Sequence, residues 1–188
     1  MSGSREHASL VISSPSRIPI AFLLGFLAGP TLAHGQPATW SLVRNALRVM
    51  YPDVPRISTD SLATLMTHTK RVPLLLDVRT EDEFAISHLR GAQRLDPVTK
   101  DFAVLEDIPR DALIITYCSV GLRSAAMARR LARAGFTRVA NLEGSMFAWA
   151  NEGYPIYRDS ITVQTVHPYD RRWGRLLKEE LRAPLRDE

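Results

Sequence analysis

Ala112-Leu113-Ile114-Ile115-Thr116-Tyr117-Cys118-Ser119-Val120-Gly121-Leu122-Arg123-Ser124-Ala125-Ala126-Met127 is the stretch from which the fold is read. The run from Ala112 to Tyr117 is apolar and rich in β-branched residues, the composition of a buried strand. Helix formers start at Arg123 and continue to about Ala134. Only the four residues Ser119 to Leu122 separate Cys118 from that helix, so the connection is a tight loop. Backbone N–H groups of such a loop and the open first turn of the helix can converge on the sulfur and favour a thiolate. Arg123 adds a full positive charge at the rim. A lone cysteine is often an inert core filler. Cys118, however, ends a strand and is followed by Gly121 and Arg123, and open α/β sheets bind ligands beyond the carboxyl ends of their strands. The reading is a reactive-cysteine site.

Outward from this stretch the chain alternates strands and helices. Arg56 to Ser58 reads as a short first strand, and Thr59 or Asp60 caps a helix to about His68. Pro73 precedes the apolar strand Leu74 to Val78. Thr80 with Glu83 three positions on makes a capping box for a helix to Ser87. Ala92 to Leu95 reads as a third strand, and Pro97 to Arg110 as a connection holding a short helix. In the helix Arg123 to Ala134, Met127 and Leu131 face inward, Arg129, Arg130 and Arg133 face out, and Gly135 ends it. Arg138 to Leu142 is the last strand and Met146 to Asn151 the last helix. The fold class is α/β, a parallel sheet with helices on both faces.

The loop Cys118-Ser-Val-Gly-Leu-Arg123-Ser124 resembles the active loop of rhodaneses, the persulfide-forming sulfurtransferases. Further segments match that family in the same order. Leu74-Leu-Leu-Asp77-Val-Arg79-Thr80-Glu81-Asp-Glu83-Phe84 resembles its strand and helix start. Ser87-His88-Leu-Arg90-Gly91-Ala92 resembles its His-Ile-Pro-Gly-Ala turn, with Arg90 where proline is common. Asn141-Leu-Glu143-Gly144-Ser-Met-Phe-Ala-Trp149, then Gly153-Tyr-Pro155, resembles its closing strand and helix. The likeness runs from about Ile57 to Ile156. The Cys-X4-Arg spacing is similar to that of rhodaneses, whereas the related phosphatases and arsenate reductases carry Cys-X5-Arg.

The resemblance implies a central parallel five-stranded sheet and an exported bacterial sulfurtransferase. On that expectation Cys118 is catalytic: its thiolate takes a sulfane sulfur from thiosulfate or another persulfide donor and passes it to cyanide, a thiol or a protein acceptor. Ser119, Val120, Gly121, Leu122, Arg123 and Ser124 would bind the anionic donor, with Arg79 as a further candidate. Asp77 and Glu83 are expected to be structural residues near the site. Either Asp77 or Arg79 could instead position the donor. His88 belongs to a turn in the family, which argues against a general base. No cofactor is implied. One cysteine and five scattered histidines give no metal-ligand spacing. The alternative from another class is a non-catalytic binding module of the cell envelope with the same fold.

Four segments are expected: 1–35, 36–53, 54–157 and 158–188. Residues 1–35 run from a polar stretch with Arg5 and Arg17, through the apolar Ile18 to Gly29, to Pro30-Thr-Leu-Ala33-His-Gly35. That is the pattern of a secretory signal, or of an uncleaved amino-terminal anchor, since uncharged residues continue to Val43. The protein is therefore expected to be exported to the periplasm, with an inner-membrane attachment only if the segment stays on. Trp40, Val43, Leu47 and Met50 recur at helical steps and predict a short amphipathic helix packed on the domain. On the resemblance, residues 54–157 are expected to form the rhodanese-like domain. The extension 158–188 carries Tyr169, Trp173, Leu176 and Leu177, too apolar for a disordered tail, and is expected to fold back on the domain or to dock a partner. Arg171, Arg172, Arg175 and Lys178 alternate with Asp170, Glu179 and Glu180, a solvated face with no clean basic run. With a net charge of +4 over 188 residues, this argues against nucleic-acid binding.

Overall fold

The protein is described by a computed structural model over residues 39–68 and 72–185. The expected signal or anchor at residues 1–35 lies outside the described residues. Among those described, no helix is long and apolar enough to cross a membrane.

Five strands, β1 (Arg56–Ile57), β2 (Leu74–Asp77), β3 (Gln93–Arg94), β4 (Leu113–Tyr117) and β5 (Arg138–Leu142), form one sheet in the order β1-β5-β4-β2-β3. Every pairing is parallel, with Leu75 opposite Ile115, Asp77 opposite Tyr117 and Thr116 opposite Asn141. The expected parallel five-stranded sheet with helices on both faces is thus the observed fold. β4 is central, as its uninterrupted apolar run requires of a strand buried on both faces. Side chains alternate across the sheet: Leu75, Ile115 and Tyr117 enter one core, and Leu76 and Ile114 the other.

Among the described residues the α-helices are α1 (Trp40–Met50), α2 (Thr59–His68), α3 (Glu81–Ile86), α4 (Leu122–Arg133) and α5 (Ser145–Asn151). α1 buries Val43 and Leu47 in the first core, beside Leu62 of α2 and Met146 and Phe147 of α5. α4 sends Met127, Ala128 and Leu131 into the second. α3 is fixed by the capping box: the Thr80 hydroxyl accepts the Glu83 N–H, and the Glu83 carboxylate accepts the Thr80 N–H. A hairpin, β6 (Ile156–Arg158) with β7 (Ile161–Val163), follows the last helix and was not foreseen from the sequence. Beyond it, the Ala183 N–H donates to Val166 O, the Val166 N–H donates to Leu181 O, and Val166, Leu176 and Leu177 complete the first core.

Candidate functional site

Cys118 lies one residue beyond β4, and its loop is held from three directions. Its N–H donates to Ser145 Oγ at 3.2 Å, while its carbonyl and that of Ser119 accept the N–H groups of Met146 and Phe147 at 3.0 Å each. Gly121, at φ +110°, takes a left-handed conformation that L side chains rarely adopt, and turns the chain into α4. A Cβ there would also press on Leu47 Cδ1 at 3.2 Å. Asn141 Nδ2 donates to Gly121 O at 3.1 Å, and Ser124 Oγ donates to Asn141 Oδ1 at 2.6 Å. Leu122 opens α4, and the backbone turn brings the Gly121 N–H to 3.1 Å from the sulfur.

The charges form two separate pairs. Glu83 receives both Arg123 nitrogens, Nη1 on Oε2 at 2.8 Å and Nη2 on Oε1 at 2.7 Å, and the Ser119 hydroxyl at 2.6 Å. Burial works against the Glu83 charge, but the hydrogen bonds and charge of Arg123, with Ser119 and the Thr80 N–H, outweigh it and hold the carboxyl at about 2. The Tyr169 ring of the carboxyl-terminal extension lies 4.9 Å from the Arg123 guanidinium. Asp77 and Arg79 make the second pair, both fully buried: Arg79 Nη2 donates to Asp77 Oδ2 and to Ser87 O, each at 2.6 Å. His88 is fixed in its turn by Leu89 O at 3.0 Å from Nδ1 and by stacking on Phe84 at 4.2 Å.

Burial pushes the Cys118 thiol up, but the charge of Arg123, the hydroxyl and N–H of Ser124 and the N–H of Gly121 pull it below the ordinary thiol value. Acidity alone does not make a sulfur-transfer site. A donor must meet the sulfur in line and an acceptor must then reach the sulfur added to it. Cys118 is the chain's only cysteine and is 1% exposed. Neither approach is open. The expected thiosulfate sulfurtransferase activity, and the persulfide cycle on Cys118, are therefore overturned by burial.

The geometry also locates the other sequence candidates. Ser119, Val120 and Ser124 are buried with Cys118, Leu122 is half-buried, and Arg123 is turned onto Glu83. Arg79 is wholly enclosed beside Asp77 rather than lining an open cleft. Among the described residues no group of three or more His, Cys, Asp or Glu could hold a metal ion. What the sequence did not disclose is that Glu83 serves Arg123, 40 positions away, and that Tyr169 covers that guanidinium.

A family model, the rhodanese-like domain, matches residues 58–152. The chain belongs to the rhodanese-like domain family. A protein of Allochromatium vinosum named as a sulfurtransferase is 36% identical over 103 residues, which are 55% of this chain and 94% of that one. A probable adenylyltransferase/sulfurtransferase of Mycobacterium tuberculosis is 34% identical over 82 residues, 43% of this chain but only 21% of that longer protein. Among solved structures, the Pseudomonas aeruginosa thiosulfate sulfurtransferase superposes with a TM-score of 0.50 at 30% identity, covering 56% of this chain and 20% of that one. In this rhodanese-like chain the matched region ends at Glu152, so the hairpin and the extension that carries Tyr169 lie outside it.

Proposed function

We propose that the protein is a non-catalytic rhodanese-like binding module of the cell envelope. The observation that carries this reading is the burial of its single cysteine at 1% exposure. Two further facts support it. The Arg123 guanidinium is spent within the protein on Glu83 and Ser119. The loop's polar atoms are tied to α5 and β5, so the site is a closed hydrogen-bonded joint. In a binding module such a joint fixes the carboxyl ends of the strands, and recognition falls to the outer surface. The envelope location rests on the polar, apolar and small-residue succession of residues 1–35.

The test is intact-protein mass of the reduced full chain after incubation with thiosulfate, with Cys118→Ser beside it, and alkylation of Cys118 in native and denaturing buffer. The module reading expects no added sulfur, slow native alkylation and fast alkylation once unfolded. A cyanide-removable sulfur on the native wild type, missing from Cys118→Ser, would overturn it.

A further inference from the structure

The extension beyond the matched region builds a concavity of about 410 Å³ whose walls include Arg171, Arg175 and Arg182, with Pro168 and Pro184 as apolar sides and, among the described residues, Asp170 as the one acid. This volume lies in the ~300–1,000 Å³ range of sites that enclose an organic ligand or several side chains. Read along the chain, these arginines alternate with acids and look like a solvated face. In space they line one concavity. None of the three is in an ion pair among the described residues. Asp170, whose Oδ1 accepts the Trp173 N–H at 2.7 Å, offsets one of the three positive charges and leaves the other two uncompensated within this lining.

Hydrogen bonds tie the walls of the concavity to the rest of the protein. Arg182 is held in place by Nε and Nη2, which donate to Leu177 O at 3.1 and 2.8 Å. Asn151 of α5 anchors the segment by donating to Leu176 O at 2.7 Å and accepting the Lys178 N–H at 2.9 Å. Gly174 lets Pro168 close against the backbone, because a Cβ there would meet the Pro168 Cβ at 2.8 Å. Three like charges lining one concavity repel each other, and the guanidiniums of Arg171 and Arg175, unlike that of Arg182, are not engaged on Leu177 O; such forks pair best with carboxylates or phosphates.

We infer that this cavity binds a carboxylate-rich polypeptide segment of a protein partner, an inference that rests on the binding-module reading and names the partner's class. Carboxylate side chains suit it better than a compact oxyanion for two reasons. The guanidiniums come from separate turns, Trp173–Leu176 and Glu179–Leu181 with their flanks, and so call for several anions rather than one. The proline walls match the aliphatic stems of glutamates. Charge complementarity of this kind steers association and falls with salt.

The experiment is fluorescence anisotropy of a labelled eight-residue Asp/Glu peptide with the full chain at low salt. Arg171→Glu and Arg175→Glu are tested singly, as both side chains are exposed and their replacement leaves the core intact. Exposed Arg133→Glu on α4 is the control, and far-UV circular dichroism verifies folding. The site predicts at least about ten-fold weaker binding in each of the first two variants and little change in the control. Equal binding by all four proteins would overturn it. So would displacement of the peptide by inorganic phosphate or a short single-stranded oligonucleotide at the same charge concentration. Sulfur uptake by the wild type with peptide binding intact would sink the module reading but leave this site. Unchanged binding in the variants without sulfur uptake would do the reverse.

Discussion

Glu83 ties the loop together because one carboxylate accepts Arg123 twice, the Ser119 hydroxyl and the Thr80 N–H. Its folded pKa of about 2, against an ordinary 4.5, makes that network pH-dependent. A carboxyl whose pKa is depressed by folding contributes stability that is complete above its unfolded value and lost as pH falls through the folded one. The contribution is about 3 kcal/mol, disappearing between about pH 5 and pH 2. Urea titrations across that range should show Glu83→Gln less stable by about 3 kcal/mol at pH 7, with its deficit shrinking toward pH 2. An unchanged deficit at both ends would show that packing, not charge, sets the cost. Arg79 poses the simpler case of a fully buried pair. Removing one partner strands the other's charge, so Arg79→Ala should cost about 3–5 kcal/mol in the same assay. A loss under about 1 kcal/mol would mean that Asp77 finds another partner or a proton.

Elements differ in how openly the chain announced them. β4 was readable because a central parallel strand is a near-continuous apolar run, and α3 because Thr80 and Glu83 stand at capping-box spacing. β1 and β3 shrink to two residues each, since edge strands of this sheet gain pairing on one side only. The β6–β7 hairpin was missed: its strands are three residues long and meet through Asp159 in a positive-φ turn, with too few alternations to show a period. The Cys118 loop could be located but its accessibility could not, because burial is set by Ser145, Met146 and Phe147, which reach it from α5. α1 was legible as amphipathic, and its docking gives a prediction at this scale. Leu47 is buried and would be the first atom met by a Cβ on Gly121. Leu47→Ala should therefore cost about 2–5 kcal/mol in denaturant titration, the price of a core cavity rather than of a surface helix contact. A change within about 0.5 kcal/mol would instead mean that α1 is a loosely attached arm.

At the scale of the molecule, the segments flanking the family region share its interior. The core on one face of the sheet combines Val43 and Leu47 from α1, Leu75 and Ile115 from the sheet, and Val166, Leu176 and Leu177 from the extension. A core assembled from all three cannot be emptied of one contributor without exposing the others, so the extension should unfold with the sheet rather than before it. That arrangement matters for the proposed peptide site, because Leu176 and Leu177, buried in this core, directly follow Gly174 and Arg175, which line the concavity. Leu177→Ala should lower stability by about 2–5 kcal/mol. Far-UV circular dichroism, which follows the helices, and tryptophan fluorescence, which follows half-buried Trp173 among others, should still give one coincident transition. An early fluorescence change at unaltered circular dichroism would show that the extension opens by itself. The cavity would then be a transient feature, and acidic-peptide binding would weaken in Leu177→Ala although every arginine is still present.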